Sequence, residues 1–282
     1  MGKPLVAYVK IKKVNAVTIT DTDDLVAAEE PLEIRLGYGN ANDRAQKSIS
    51  VTMRTPGNDN ELALGFLYTE GIIKDKGDIL TIRYCTEANT IENLENIIRV
   101  ELKENITIDF QKLQRNFYTS SSCGVCGKAS IDAVRNECHL SASNSSLFIS
   151  KDVIISLPGK LRSNQNIFIY TGGLHAAALF NTEGNLSLVR EDVGRHNALD
   201  KLTGAALNAG MLPLENQILL LSGRASFELI QKAVMAGIKI VCVVGAPSSL
   251  ALQIAKEFDI TLIGFLRDKR FNIYTGAERI II

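Results

Sequence analysis

Two hydrophobic patterns divide the chain. Between residues 30 and 54 apolar and polar positions alternate, as at Leu32, Ile34 and Leu36, and again at Ile49, Val51 and Met53. This period of two predicts strands with one buried face. Pro56-Gly57 predicts a turn, followed by a helix from Asn58 or Asp59 to about Tyr68 that ends at Gly71. Short strands are expected near residues 79–85 and 97–103, so the first third is β-rich.

From about residue 151 the pattern changes to continuous apolar runs that alternate with helical periodicity. Strands are predicted in the segments QILLLSG, IKIVCVVG and ITLIGFL, with helices over residues 196–209, 227–236 and 248–258. Apolar strands that alternate with helices are typical of a parallel sheet covered on both faces. A β-hairpin is expected over residues 175–191. A helix over residues 151–163 is expected to be strained or broken near Pro158-Gly159.

This order predicts an α/β protein with two parts. Residues 1–115 form a β-rich α+β N-terminal part, and residues 116–282 form an α/β part. The layout of the second part matches the three-layer, cytidine-deaminase-like fold, and a CxxC pair lies near its start. That likeness is one of topology and carries no function by itself.

Composition narrows the function classes. Lysine and arginine together number 31, as do aspartate and glutamate, so no net charge draws the chain to nucleic acid or to a membrane. No stretch reaches the roughly 18 apolar residues of a membrane-spanning helix. The N-terminal residues lack the apolar core of a signal peptide. We therefore expect a cytoplasmic protein with no nucleic-acid or membrane partner.

The most informative segment is TSSSCGVCGK at residues 119–128. Cys123 and Cys126 stand at CxxC spacing, with glycines that leave the backbone free to expose both sulfurs. A helix predicted over residues 127–137 and the nearby Lys128 would stabilise a thiolate. A thiolate can attack a sulfur donor, so the pair indicates sulfur or thiol chemistry.

Other interpretations of the pair remain open. Two cysteines make half of a structural zinc site, but a second pair at short spacing is not evident, so no metal is expected. A purely structural pair is also possible. Deamination is not expected, because His196 is followed by Asn197 and Ala198 where that chemistry needs a glutamate, and Ser222–Arg224 holds no cysteine. Cys85 and Cys242, in apolar runs, are expected to be small buried hydrophobes.

Several polar segments follow predicted strands, where open α/β sheets bind ligands. Arg267, Lys269 and Arg270 supply three cations within four residues. Gly223 and Arg224 open a helix after a strand, an arrangement that favours a phosphate. The alternatives are a solvated turn and an ordinary helix start.

Two histidines are further candidates for a role at such a site. His196 could hydrogen-bond a base or a phosphate, or shuttle a proton. The alternative is a capping cluster in which Asp192 pairs with Arg195. His175, within an apolar run, is expected to be a core histidine.

Taken together, six segments resemble the formate dehydrogenase accessory sulfurtransferase family (FdhD). In chain order they are residues 53–73, 119–132, 171–179, 191–204, 222–238 and 264–275. A CxxC alone is weak evidence, whereas six long segments in the family's order, spanning most of the chain, are strong evidence.

The resemblance implies a sulfur carrier. It would accept persulfide sulfur from a cysteine desulfurase and deliver it to the bis(molybdopterin guanine dinucleotide) molybdenum cofactor that formate dehydrogenase requires. Cys123 would bear the persulfide and Cys126 would assist or resolve it, although spacing leaves the reverse assignment open.

The resemblance also implies the cofactor-binding residues and the partners. The cofactor would contact a loop made of Phe265, Leu266, Arg267, Asp268, Lys269 and Arg270. The catalytic subunit of formate dehydrogenase is an expected partner, and the two-fold cofactor favours a homodimer. Two other functions stay open: a non-catalytic cofactor chaperone with a structural CxxC, and a thiol–disulfide oxidoreductase.

Overall fold

The computed structural model describes residues 3–85, 95–104, 106, 108 and 147–282. The strands are β1 (Val6–Val14), β2 (Ile19–Ala27), β3 (Glu30–Asn40), β4 (Asp43–Arg54), β5 (Ile79–Tyr84), β6 (Ile97–Leu102), β7 (Ile149–Ser150), β8 (His175–Phe180), β9 (Leu186–Asp192), β10 (Ile218–Leu221), β11 (Ile240–Val243), β12 (Thr261–Arg267), β13 (Arg270–Thr275) and β14 (Ile280–Ile281). The α-helices are α1 (Asp59–Thr69), α2 (Lys151–Arg162), α3 (Phe168–Thr171), α4 (Arg195–Asn208), α5 (Phe227–Met235) and α6 (Ser249–Glu257). Short 3-10 turns lie at Lys76–Asp78 and Ala277–Arg279.

The first part of the chain builds a four-stranded sheet of order β4-β3-β6-β5, with α1 packed on one face. The alternation along β3 buries Leu32, Ile34 and Leu36 against this helix, as predicted. Strand β4 is confirmed, but its apolar residues do not share one face. Ile49 is buried, whereas Val51 and Met53 are exposed.

A register shift opposite Ile34 and Arg35 explains the mixed exposure along β4. The shift inserts an extra residue into β4 and reverses which positions of that strand face the core. Strands β1 and β2 form a separate antiparallel ribbon.

The second part of the chain builds a six-stranded sheet of order β13-β12-β11-β10-β8-β9. The three central strands, β10, β11 and β12, are parallel, as predicted, and the β8–β9 hairpin is confirmed. The prediction that residues 265–270 form a loop is wrong, because most of them belong to strands β12 and β13. They form a hairpin whose turn, Asp268-Lys269, has φ values of 53° and 59°. An Asp-Lys turn lacks the glycine that usually marks such a hairpin in a sequence.

Helices cover both faces of this sheet and make three layers. One face packs against α4, α5 and α6, and the other packs against α2. The predicted break in α2 is wrong, since the helix runs through Pro158. Ile154, Leu157 and Leu161 are buried on both sides of the proline and hold the helix on the sheet.

The predicted α/β class is confirmed. The more specific likeness to the cytidine-deaminase fold stays a prediction. The boundary near residue 115 and the helix over residues 127–137 lie outside the described residues.

The two parts meet where α1 crosses α4. A Cβ atom on Gly65 would lie 1.8 Å from the carbonyl oxygen of Asp200, and one on Gly204 would lie 1.9 Å from that of Glu61. The helices therefore touch backbone to backbone, and this close approach requires glycine at both positions. In the part of the chain that the structure describes, no helix is long and apolar enough to cross a membrane.

Candidate ligand site at the carboxyl edge of the sheet

The carboxyl ends of the parallel strands bring most of the predicted site residues together. Beyond the strands, the Gly245 amide donates to the Gly223 carbonyl at 2.9 Å, and the Phe265 amide donates to the Gly245 carbonyl at 2.8 Å. The loops that follow β10 and β11 therefore stay in register with β12. Ligands of open α/β sheets bind at this edge.

The backbone at this edge has one position of close packing and one of unusual conformation. A Cβ atom on Gly245 would lie 2.9 Å from both the Gly223 carbonyl oxygen and Cγ of Arg224, so position 245 requires glycine. Phe265 adopts a φ of 54°, which is uncommon for a residue with a side chain. Strained backbone of this kind clusters at ligand sites.

His196 lies in the first turn of α4 and faces the start of α5. Its Nε2 atom is 3.4 Å from Oγ of Ser226 and 4.0 Å from Oε2 of Glu228. Burial is the largest cause that lowers the pKa of His196 to about 4; the nearby cations Arg195 and Lys232 also lower it, and Glu228 offsets only part of the shift. The imidazole is therefore neutral near pH 7, and it can donate one hydrogen bond and accept another.

His175 was expected in the core, but it is only half-buried and lies at this edge, at the start of β8. A Cβ atom on Gly223 would lie 3.3 Å from its Nδ1 atom. Burial lowers the pKa of His175, and so does the nearby Arg195 charge. Sequence reasoning missed this residue because five buried apolar residues follow it in β8.

The predicted cations lie in segments that follow the strands of this edge. Arg224 and the hairpin residues Arg267, Lys269 and Arg270 are exposed, as is Asp268. Leu266 is different, because it is buried beneath the hairpin in the hydrophobic core. Its side chain packs, and only its backbone lies near the surface that the hairpin presents.

The alternative cluster, in which Asp192 pairs with Arg195, is wrong. Asp192 is fully buried, and its Oδ2 atom lies 2.7 Å from Nζ of Lys201. The same oxygen accepts a hydrogen bond from the amide of Thr55. Asp192 therefore joins the two parts of the chain and does not neutralise Arg195.

The structure describes two of the cysteines discussed above. Cys85 and Cys242 are buried, as predicted, and burial raises the pKa of Cys242 to about 12. Cys242 is thus kept as a thiol. Cys123 and Cys126 lie outside the described residues. Among the residues that are described, no group of three histidine, cysteine or acidic side chains could hold a metal ion.

The fold and this edge define a three-layer α/β protein with a candidate site for an anionic ligand. The chain belongs to the FdhD/NarQ family, whose model matches residues 27–281.

Named relatives support this membership. The chain is 47% identical over 276 residues to a sulfur carrier protein FdhD from Streptomyces coelicolor, covering 97% of this chain and 95% of that protein. A protein of the same name from Mycolicibacterium paratuberculosis is 50% identical over 258 residues, covering 91% and 92%. A crystal structure described as a formate dehydrogenase accessory protein from Desulfotalea psychrophila matches with a TM-score of 0.73 and 26% identity, covering 99% and 100%.

Proposed function

We propose that this protein is a sulfur carrier that accepts persulfide sulfur from a cysteine desulfurase and delivers it to the molybdenum cofactor of formate dehydrogenase. The observation that carries the proposal is its identity of 44–50% to proteins named sulfur carrier protein FdhD, over more than nine-tenths of the chain. The CxxC pair, Cys123 and Cys126, supplies the thiols that a sulfur carrier needs.

Loading is a thiol exchange. The Cys123 thiolate attacks the terminal sulfur of the desulfurase persulfide, and the desulfurase cysteine leaves as a thiolate. One S–S bond breaks and another forms, so no oxidant or reductant is needed.

Delivery as sulfide requires two electrons, which the second thiol can supply. The Cys126 thiolate attacks Sγ of Cys123 and displaces the terminal sulfur as hydrosulfide, which becomes the sulfido ligand of the molybdenum. A Cys123–Cys126 disulfide remains, and a cellular thiol must reduce it before the next cycle. The attack by Cys126 is the resolving role expected of it.

The carboxyl edge fits the other substrate, the bis(molybdopterin guanine dinucleotide) cofactor. This cofactor carries phosphates and guanines, and the edge offers Arg224, the cationic hairpin of residues 265–270, and the neutral His196. Gly245 lets the loops that follow β10 and β11 pack closely together, which holds Arg224 at this edge. Within the same proposal, the carrier is a cytoplasmic homodimer that docks to the catalytic subunit of formate dehydrogenase.

Intact-protein mass spectrometry after incubation with a cysteine desulfurase and cysteine tests the proposal. We expect a gain of one sulfur mass that a reductant reverses and that Cys123→Ala abolishes. Cys242→Ala is the matched control, because its buried thiol should leave the gain unchanged. Loss of the gain in both variants, or retention in Cys123→Ala, would contradict the assignment.

A second function, a non-catalytic cofactor chaperone, is favoured by one observation. Among the described residues that form the candidate edge, none is a cysteine. For a chaperone, Cys123→Ala should still activate formate dehydrogenase in a host without its own accessory protein. Metal analysis of anaerobically purified protein separates the two as well, since about one zinc per chain would indicate a structural CxxC.

A further inference from the structure

Arg195 is the first residue of α4 and carries an unused donor. Its Nε atom is buried, and it has no hydrogen-bond partner among the described residues. Leaving a charged donor buried and unpaired costs more than leaving a neutral one, so such donors normally have an acceptor. A ligand can supply that acceptor.

The nearest candidate inside the protein, Asp192, is fully committed elsewhere. Its Oδ2 atom binds Lys201 and the Thr55 amide, and its Oδ1 atom accepts from the Gly194 amide at 2.8 Å and from Nδ2 of Asn197 at 3.1 Å. Two protein donors therefore occupy each carboxylate oxygen. Asp192 fixes the turn that precedes Arg195 and does not pair with the guanidinium.

The surroundings of Arg195 place its charge at the carboxyl edge. The guanidinium lowers the pKa of both His175 and His196, after the larger effect of burial. The same charge contributes to lowering the pKa of Glu228, whose side chain is 57% exposed and lies beside His196. The Arg195 charge thus lies near both His175 and His196, and the His175 ring in turn lies beside Gly223.

We propose that Arg195 binds a phosphate oxygen of a nucleoside diphosphate group. Asp192 is the positioning residue that holds the turn before Arg195. Arginine suits this role because its planar guanidinium can make two parallel hydrogen bonds to a phosphate. The inference rests on the proposed function and adds Arg195 to the predicted edge residues.

Titration calorimetry with GDP and with inorganic pyrophosphate tests this assignment on the full chain. We expect Arg195→Gln to weaken the binding of both probes by about 10- to 100-fold. Arg195→Lys keeps the charge but loses the planar fork, and should bind with intermediate affinity. Arg83→Gln is the matched control, because Arg83 is exposed on β5, in the other sheet, and should bind like the wild type.

Two further readouts keep the outcomes distinct. A thermal melt must show that Arg195→Gln is folded, and persulfide loading of Cys123 is measured on the wild type in parallel. Wild-type affinity in Arg195→Gln, equal weakening in Arg83→Gln, or no binding of either probe to the wild type would overturn the Arg195 assignment. Failure of the wild type to load sulfur would instead overturn the proposed carrier function.

Discussion

The contact between the two parts of the chain and the carboxyl edge of the large sheet both hold many charges, but they use them differently. At the contact, Lys232 on α5 lies 3.0 Å from Oδ1 of Asp200, 3.1 Å from Oε1 of Glu70 and 2.9 Å from Oγ1 of Thr69. Burial disfavours the charge on Lys232, but attraction by Asp200 and Glu70 outweighs it and raises the pKa.

At the carboxyl edge, by contrast, the cations are left open. The side chains of Arg224, Arg267, Lys269 and Arg270 are exposed, and within the described ranges none of them pairs with an acidic group. Charges that are paired inside the protein hold its parts together, whereas open charges remain available to a ligand. Substitutions at the contact should therefore change stability, and those at the edge should change binding.

The largest expected effect is at the contact. Lys232→Met leaves Asp200 buried without its cation and should lower the free energy of unfolding by about 3–5 kcal/mol. Urea denaturation measures this loss. Adding Asp200→Asn to the variant removes the unpaired charge and should recover part of it. A loss below about 1 kcal/mol would mean that the ion pair is not desolvated, as an exposed pair would behave.

The helix crossing gives the next effect. Gly204→Ala places a methyl group against the Glu61 carbonyl and should destabilise the protein by about 1–3 kcal/mol. Gly159→Ala is the control, because no atom lies within 4 Å of the added Cβ in α2. Alanine in a helix interior should stabilise there by about 0.5–1 kcal/mol. Equal shifts in the two melting temperatures would refute the close crossing.

A smaller effect concerns pH at the edge. The unfolded chain protonates His196 near its ordinary pKa of about 6.5, whereas the folded protein does so only near about 4. Between these values the unfolded state binds more protons, so this group's effect is to lower stability as pH falls. His196→Asn should flatten that decline in urea titrations between pH 7 and pH 4. An unchanged slope would show that His196 does not contribute.

The smallest effect on stability is expected at the exposed cations. Arg224→Gln should change the free energy of unfolding by less than about 0.5 kcal/mol. Its affinity for pyrophosphate should fall by about 2- to 5-fold, the size of an exposed charge contact. Calorimetry and a melt on the same sample test both statements, with Arg83→Gln as the control. A large loss of stability would place Arg224 with the structural charges.

Local pattern predicted much of the fold. The alternation along β3, the apolar runs of β10, β11 and β12, and the helices between them were read correctly, since each depends on neighbours in the chain. The predicted break in α2 came from a local signal, Pro158-Gly159, that packing on the sheet overrode. The other errors arose where the sequence carries no local signal. No residue pattern within residues 43–54 predicts the register shift in β4. Asp268-Lys269 is an unusual turn pair, so the hairpin was not predicted.

The candidate site was predicted only in part for the same reason. Gly223, Arg224 and His196 could be named from strand-then-helix patterns, and the structure brings them to one edge. His175 and Arg195 were misread, because a core position and an ion pair with Asp192 are the simpler local interpretations. Their surroundings depend on strands and helices far apart in the sequence.

The sequence by itself determined the class of fold, the family, and the CxxC pair, because periodicity, motif order and residue identity are properties of the chain. Only the tertiary structure decided which charges are neutralised. Asp192 meets Lys201 and Thr55 because α4 docks on the N-terminal part, and Arg195 is left without that carboxylate. A charge's partner is set by distance in space, which the order of residues does not specify.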